Sequence, residues 1–278
     1  MTPAAPSVLL LIPAYNEEQR IEPVLRAYAQ HFRKHYAGKF QIVVVLNGCF
    51  DDTIGVVRRV AVDFPEVRTL NFPAPIGKGG ALIEGLALAP NADLIGYVDA
   101  DGATSPAAFH ELARRCGEAD CVIGSRWLPG AVLHQAQTNR RQFASRVFHA
   151  VVQLLFWMNI RDTQCGAKIM RRTAVEKVHS RLCIADMAFD INLLHELKRE
   201  GLRVLEVPTE WTDQIGSKVR LGRTSLAMLL SVIRLRLIYS PFYRWLRLLR
   251  PLETWVYLKL SAPPPRPRLP LPPTSNAR

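Results

Sequence analysis

Five short apolar runs alternating with helical patterns constrain this chain more than any other feature. VLLLIP (8–13), QIVVVL (41–46), VRTLNF (67–72), DLIGYV (93–98) and CVIGS (121–125) read as strands. Helical periodicity occupies the intervals at about 20–36, 53–64, 78–88 and 106–115. This rhythm predicts an α/β fold, a mostly parallel sheet covered by helices on both faces. Ligands of such open sheets sit beyond the carboxyl ends of the strands. Three of those ends carry polar clusters: PAYNEE after the first, NGCFDD after the second and DADG after the fourth. Converging on one side of the sheet, they mark a site.

The rest of the chain divides by composition. A helix rich in apolar residues is expected from about Arg140 to Asn159, and a second α/β stretch covers roughly 160–212. Residues 218–278 hold 12 of the 36 Lys and Arg, and only Glu253 among the acids. A nearly neutral body therefore carries a strongly basic C-terminal segment, suited to nucleic acid or an anionic membrane surface. From Thr224, aliphatic and aromatic residues alternate with Arg234, Arg236, Arg244, Arg247 and Arg250. Such interleaving describes helices lying in a membrane interface, broken near Pro241 and Pro251, and argues against nucleic acid. Core-packing helices with basic outer faces are the plainer alternative. The last 17 residues, with seven prolines and no acids, are expected to be disordered. The expected divisions are thus 1–220, 221–261 and 262–278.

Five cysteines without a C-x-x-C pair imply reduced thiols and no zinc site. The N-terminal VLLLI is too short for a signal peptide or membrane span and reads as a buried strand. No G-x-G-x-x-G follows the first strand, and GKGG (77–80) lacks the Ser or Thr of a P-loop.

The motifs then point to chemistry. Asp99 and Asp101, in a turn leaving an apolar strand, can face one hard cation, Mg²⁺ or Mn²⁺, together with diphosphate oxygens. Lys78, between glycines that let backbone approach an anion, would add positive charge to the same diphosphate. At the second strand's end Asn47-Gly48 predicts a sharp turn, with Asp51 or Asp52 capping a helix near Thr53.

IPAYNEE, NGCFDDT, GKGGAL, DADG and GSR together resemble the inverting family 2 glycosyltransferases of the GT-A fold. DTQCGAKIMRR (162–172), FDINLL (189–194), EVPTEW (206–211) and GSK (216–218) narrow the resemblance to the dolichyl- and polyprenyl-phosphate sugar synthases, the β-glucosyltransferase branch above all. The resemblance implies transfer of a hexose from a nucleotide diphosphate sugar to a lipid phosphate. Pro13, Ala14, Tyr15, Asn16 and Glu17 would line the nucleoside pocket. Asp99, Ala100 and Asp101 would hold nucleotide and metal. Arg126, Arg141, Ser145, Ser217 and Lys218 would collect the acceptor phosphate.

Asp162 and Asp190 are candidates for binding sugar hydroxyls, orienting the acceptor or acting as base. For Asp190 a helix N-cap is the alternative. Related enzymes place an Asp pair where this chain has Leu46 and Asn47. The Asn47 oxygen can still accept from uracil N3–H, which favours UDP-glucose over GDP-mannose as donor. The expected enzyme is peripheral on the cytoplasmic face of a membrane. A soluble sugar acceptor and a catalytically silent nucleotide-sugar-binding module are the competing readings.

Overall fold

A computed structural model describes residues 5–134, 139–212 and 221–240, with side chains except at 90, 139–144 and 221–227. Seven strands form the main sheet: β1 (Val8–Ala14), β2 (Phe40–Asn47), β3 (Val67–Phe72), β4 (Leu94–Tyr97), β5 (Cys121–Ser125), β7 (Lys168–Arg171) and β8 (Val204–Pro208). Their order is β3-β2-β1-β4-β7-β5-β8. β3, β2, β1 and β4 are mutually parallel, as are β5 and β8, whereas β7 runs antiparallel to both its neighbours. The expected mostly parallel sheet is present. The antiparallel β7 was not foreseen, because four residues after an irregular stretch carry little periodicity. Two further strands, β6 (Val132–Leu133) and β9 (Glu210–Trp211), pair beside the sheet.

The apolar runs are continuous because both faces of the sheet are covered. Val8, Leu10 and Ile12 of β1 pack on one side, with α1 (Ile21–His35), α2 (Thr53–Asp63) and α4 (Pro106–Arg115). Leu9 and Leu11 face the other, with α3 (Gly77–Leu86), α5 (Asn139–Phe156), α6 (Arg172–Val178), α7 (Phe189–Arg199) and α8 (Leu221–Ile238). α1 shows the sequence logic plainly: Ile21, Val24, Leu25, Tyr28, Ala29 and Phe32 fall on one helical stripe and are buried.

Since β2, β1 and β4 are neighbours, their polar C-terminal ends lie side by side, as the sequence implied. α8 buries Ser231, Val232 and Leu235 in the second core, so its inner face packs as the plainer alternative held. It ends at Ile238, before Pro241, where a break was expected. Residues 241–278, including the Pro251 break and the proline-rich tail, lie outside the described residues.

Candidate active site

The first two strand ends lock together through side chains that the sequence assigned to a ligand or a cap. Asn16 takes a left-handed φ of 56° and its Oδ1 accepts the Phe50 amide at 2.9 Å. Tyr15 packs edge-on against Phe50. Thr53 Oγ1 accepts the Glu17 amide at 2.8 Å, while Asp51 Oδ1 accepts from the Thr53 amide and hydroxyl at 3.1 and 2.5 Å. Asp52 stands at the cap position of α2 without a side-chain cap bond and pairs with Arg59 instead. Pro13 and Ala14 form the end of β1, and the Ala14 carbonyl accepts the Cys49 thiol. The Glu17 carboxylate receives two bonds from Arg20, both at 2.8 Å.

Asn47 has a structural partner of its own. It is buried, and its Oδ1 accepts the Ile76 amide at 2.6 Å, just before α3. The amide oxygen therefore fastens the second strand end to the GKGG segment. An amide at this position delivers α3, and Lys78 with it, to the site.

Lys78 meets the carboxylate pair directly, its Nζ 2.6 Å from Asp99 Oδ1. Burial works against the lysine charge, but Asp99, Asp190 and Asp101 hold its pKa above the ordinary range. The flanking glycines serve a purpose beyond anion approach. A Cβ on Gly77 would lie 2.2 Å from the Ala185 carbonyl oxygen, and one on Gly79 2.3 Å from that of Ile184. α3 therefore seats on the segment that leads into α7.

Asp101 is largely buried, and its Oδ1 accepts the Ala103 amide at 3.0 Å. Burial and then the Asp99 charge push its carboxyl above the usual carboxylate range. The helix cap in this turn belongs to Ser105, which accepts the Ala108 amide at 3.2 Å. Asp101 is thus left for other work. Asp99 lies in a cradle shaped for it: a Cβ on Gly166 would fall 2.1 Å from Asp99 Oδ2. This donor set fits a hard divalent cation. Two carboxylates leave one turn, and among the described residues no three His, Cys, Asp or Glu side chains cluster to hold an ion alone. Diphosphate oxygens and water would complete the shell around Asp99 and Asp101.

The next two candidates, Arg126 and Asp162, are partners of each other. Arg126 donates to both oxygens of Asp162, at 2.7 and 2.8 Å, and its own amide adds a third bond at 3.0 Å. Its guanidinium also lies over the Trp211 ring, 4.9 Å from the centroid. Asp162 is buried and its amide, like that of Arg161, is held by Glu206. Burial opposes its charge, but Arg126 keeps its carboxyl below the usual range. Asp162 thus fixes the orientation of the Arg126 guanidinium.

The sign of the pH dependence follows. A depressed folded pKa gives stability that is present above the unfolded value near about 3.9 and lost as pH falls through the folded one. Asp162→Asn is expected to cost about 3 kcal/mol at pH 7, because Arg126 keeps a buried, unpaired charge. Melting temperatures taken against pH check this: the gap to the parent protein should close below about pH 4.

Asp190 is not the helix cap, which falls at Ala188. α7 begins at Phe189, so Asp190 is its second residue, buried at 2% exposure. Its Oδ1 accepts from Lys168 Nζ and from the Tyr97 hydroxyl, each at 2.5 Å. Ala100, between the two aspartates, is buried. Arg141 and Ser145 lie one turn apart on α5, with Ser145 half-buried, while the Arg141 side chain, Ser217 and Lys218 fall outside the described residues. Sequence reasoning missed Gly166, Lys168, Glu206 and Trp211. A lysine inside the apolar GAKIM was the available signal.

A model of glycosyl transferase family 2 matches residues 9–179. Dolichyl-phosphate beta-glucosyltransferase of Drosophila melanogaster is 31% identical over 271 residues, covering 91% of this chain and 76% of that protein. Glycosyltransferase AglD of Haloferax volcanii is 32% identical over 236 residues, 84% of this chain, though the chain spans only 37% of AglD. Among solved structures, glucosyl-3-phosphoglycerate synthase of Mycobacterium tuberculosis shares the fold, with a TM-score of 0.61 at 18% identity, covering 83% of this chain and 80% of that one. The same enzyme is also solved in complex with Mn²⁺, UDP and glucosyl-3-phosphoglycerate. With its parallel strand ends, its aspartate pair and these matches, the chain belongs to glycosyl transferase family 2.

Proposed function

We propose that the protein transfers glucose from UDP-glucose to a polyprenyl or dolichyl phosphate, with inversion, on the cytoplasmic face of a membrane. The observation that carries this reading is the strand-end constellation of Asp99, Asp101 and Lys78, with Lys78 2.6 Å from Asp99. Relatives named dolichyl-phosphate beta-glucosyltransferase, matching most of the chain, support the hexose and the acceptor. Asp99 and Asp101 would hold Mg²⁺ or Mn²⁺, which when bound supplies positive charge against the departing diphosphate. Lys78 adds a fixed cation on the same side. The strand-end loops around Tyr15, Asn16 and Glu17 shape the nucleoside pocket.

A phosphate monoester, with its second pKa around 6, reaches the site already largely dianionic. A strong base is therefore not required, which agrees with the engagement of both Asp162 and Asp190 by cations. Arg126, Arg141, Ser145, Ser217 and Lys218 are the groups proposed to gather the acceptor phosphate. In Arg126 that role falls to whatever donor capacity Asp162 leaves.

Residues 1–220 form the catalytic unit in this reading, and 221–261 a basic membrane-interface segment ahead of a proline-rich tail. The helix surfaces support a bilayer as partner. On and just beyond α5, Val147, Ala150, Leu154 and Trp157 are exposed along one stripe, with Trp157 at 79%. α8, packed beside α5, exposes Ile233, Arg236 and Leu237. Neither helix contains an acid. Among the described residues no helix is long and apolar enough to cross a membrane. Vesicles rich in phosphatidylserine should float the protein, neutral vesicles far less, and Leu154→Ser with Trp157→Ser should cut the bound fraction about tenfold. Equal flotation of the double variant would place the contact elsewhere.

The function itself is tested with a panel of UDP- and GDP-sugars, offered with a short polyprenyl phosphate and, separately, with oligosaccharides. UDP-glucose and the lipid phosphate should be the productive pair. Preference for GDP-mannose or for a soluble acceptor would overturn the corresponding half of the proposal. Nucleotide binding without any turnover would point to a silent binding module.

A further inference from the structure

We infer that Lys168 and Asp190 form a buried positioning pair that sets the geometry of the Asp99 metal site. This inference rests on the proposed metal-dependent transfer. Lys168 is wholly buried at the start of β7, followed by the buried Ile169 and Met170. A lysine in such a place is costly unless its ammonium is paired and hydrogen-bonded. Here it is both. Nζ lies 2.5 Å from Asp190 Oδ1 and 2.6 Å from the Cys165 carbonyl oxygen, with the Tyr97 ring centroid at 5.6 Å. Tyr97 donates its hydroxyl to the same Asp190 oxygen.

The group thus ties together four pieces of chain: β4 through Tyr97, the loop after Asp162 through Cys165, β7 through Lys168, and α7 through Asp190. Two of these pieces govern the aspartate pair. The Cys165 carbonyl immediately precedes Gly166, where an added Cβ would fall 2.1 Å from Asp99 Oδ2. The bond to Lys168 therefore holds the cradle of a metal ligand. The α7 end matters equally, because the backbone of Ile184 and Ala185 leading into it seats Gly77, Gly79 and Gly80 of α3. That contact places Lys78 against Asp99.

Asp190 consequently acts as a buried anion that organises cations, and it does not take a proton from the acceptor. Burial opposes its charge, but Lys168 and Lys78 keep its carboxyl below the usual carboxylate range. Outer residues of this kind, which orient a ligand without touching the ion, commonly change metal affinity or activity by about 10–100-fold.

The experiment uses the full chain with three variants: Lys168→Met, Asp190→Asn and the two combined. Each is followed by melting temperature, by Mn²⁺ binding in the presence of UDP, and by kcat and KM for transfer across pH. Either single change leaves one buried polar partner unmatched and should lower the melting temperature. The double variant, without buried charge, should regain most of that loss. Its Mn²⁺ affinity and kcat should nevertheless stay about 10–100-fold below the parent, with the shape of the pH profile unchanged.

Recovery of both Mn²⁺ affinity and kcat in the double variant would overturn the inference, leaving a merely structural pair. A large kcat loss in Asp190→Asn that removes the acidic limb of the profile, with Mn²⁺ binding intact, would overturn it in favour of a base. If the parent protein makes no lipid product, the functional proposal fails while the Mn²⁺ comparison still decides this one.

Discussion

Gly166→Ala should leave a folded protein that has lost most of its activity. The added Cβ would sit 2.1 Å from Asp99 Oδ2 and 2.7 Å from its Cγ. Atoms do not approach so closely, so one of them must move. The free end of an aspartate moves at far lower cost than the backbone between Cys165 and Ala167, both fully buried. The carboxylate therefore swings out of its cradle. A displacement on the order of 1 Å at a reacting centre can cost about 100-fold in rate, and moving an oxygen proposed to hold the ion should also weaken metal binding. We expect kcat/KM reduced by at least about 100-fold, with the melting temperature within a few degrees of the parent. Mn²⁺ titration and a thermal melt check the two halves separately. Near-normal activity would mean that Asp99 is not held against Gly166 in the working enzyme.

Asp101→Ala is expected to be more severe in rate. A divalent ion contributes several kcal/mol of charge stabilisation as the diphosphate departs, and each 1.36 kcal/mol is tenfold in rate. Removing one of the two carboxylates proposed to hold it should lower kcat by about 1000-fold or more. Asp101 also accepts the Ala103 amide at 3.0 Å, so alanine removes a turn contact as well as a ligand. Asp101→Asn separates the effects. Its amide oxygen keeps the Ala103 bond and the turn, but the negative charge is gone. Both variants should be equally inactive, while only alanine should lose stability. An active Asp101→Asn enzyme would remove the ion from the assignment.

The frame of this site was legible in the sequence because it depends on local pattern. β1, β2 and β4 announce themselves as apolar runs, and PAYNEE, NGCFDD and DADG follow at their ends whatever the tertiary packing. Lys78 was legible as a site lysine for the same reason. What the sequence did not disclose are partnerships across distance. Arg126 and Asp162 are 36 residues apart, and Lys168 and Asp190 are 22 apart. Each of these groups has the chemistry of a catalytic residue when read alone. Burial and pairing decide that Asp162 and Asp190 hold cations, and burial depends on where β7 inserts. Because β7 runs antiparallel between β4 and β5, it carries Lys168 beside Tyr97 of β4. No periodicity in KIMR foretells that.

Asn47 teaches a related lesson. At the end of β2 its amide looks like a substitute for a base-reading acid, but its oxygen is spent on the Ile76 amide. In the structure this position also joins two site-forming loops.

The most direct test of the central claim is transfer of labelled glucose from UDP-glucose to a short polyprenyl phosphate by the purified full chain with Mg²⁺. A lipid-extractable product that is β-linked, and is lost when EDTA removes the ion, is the predicted result. Label that stays on the nucleotide, appears as free glucose or reaches only a soluble sugar would contradict it.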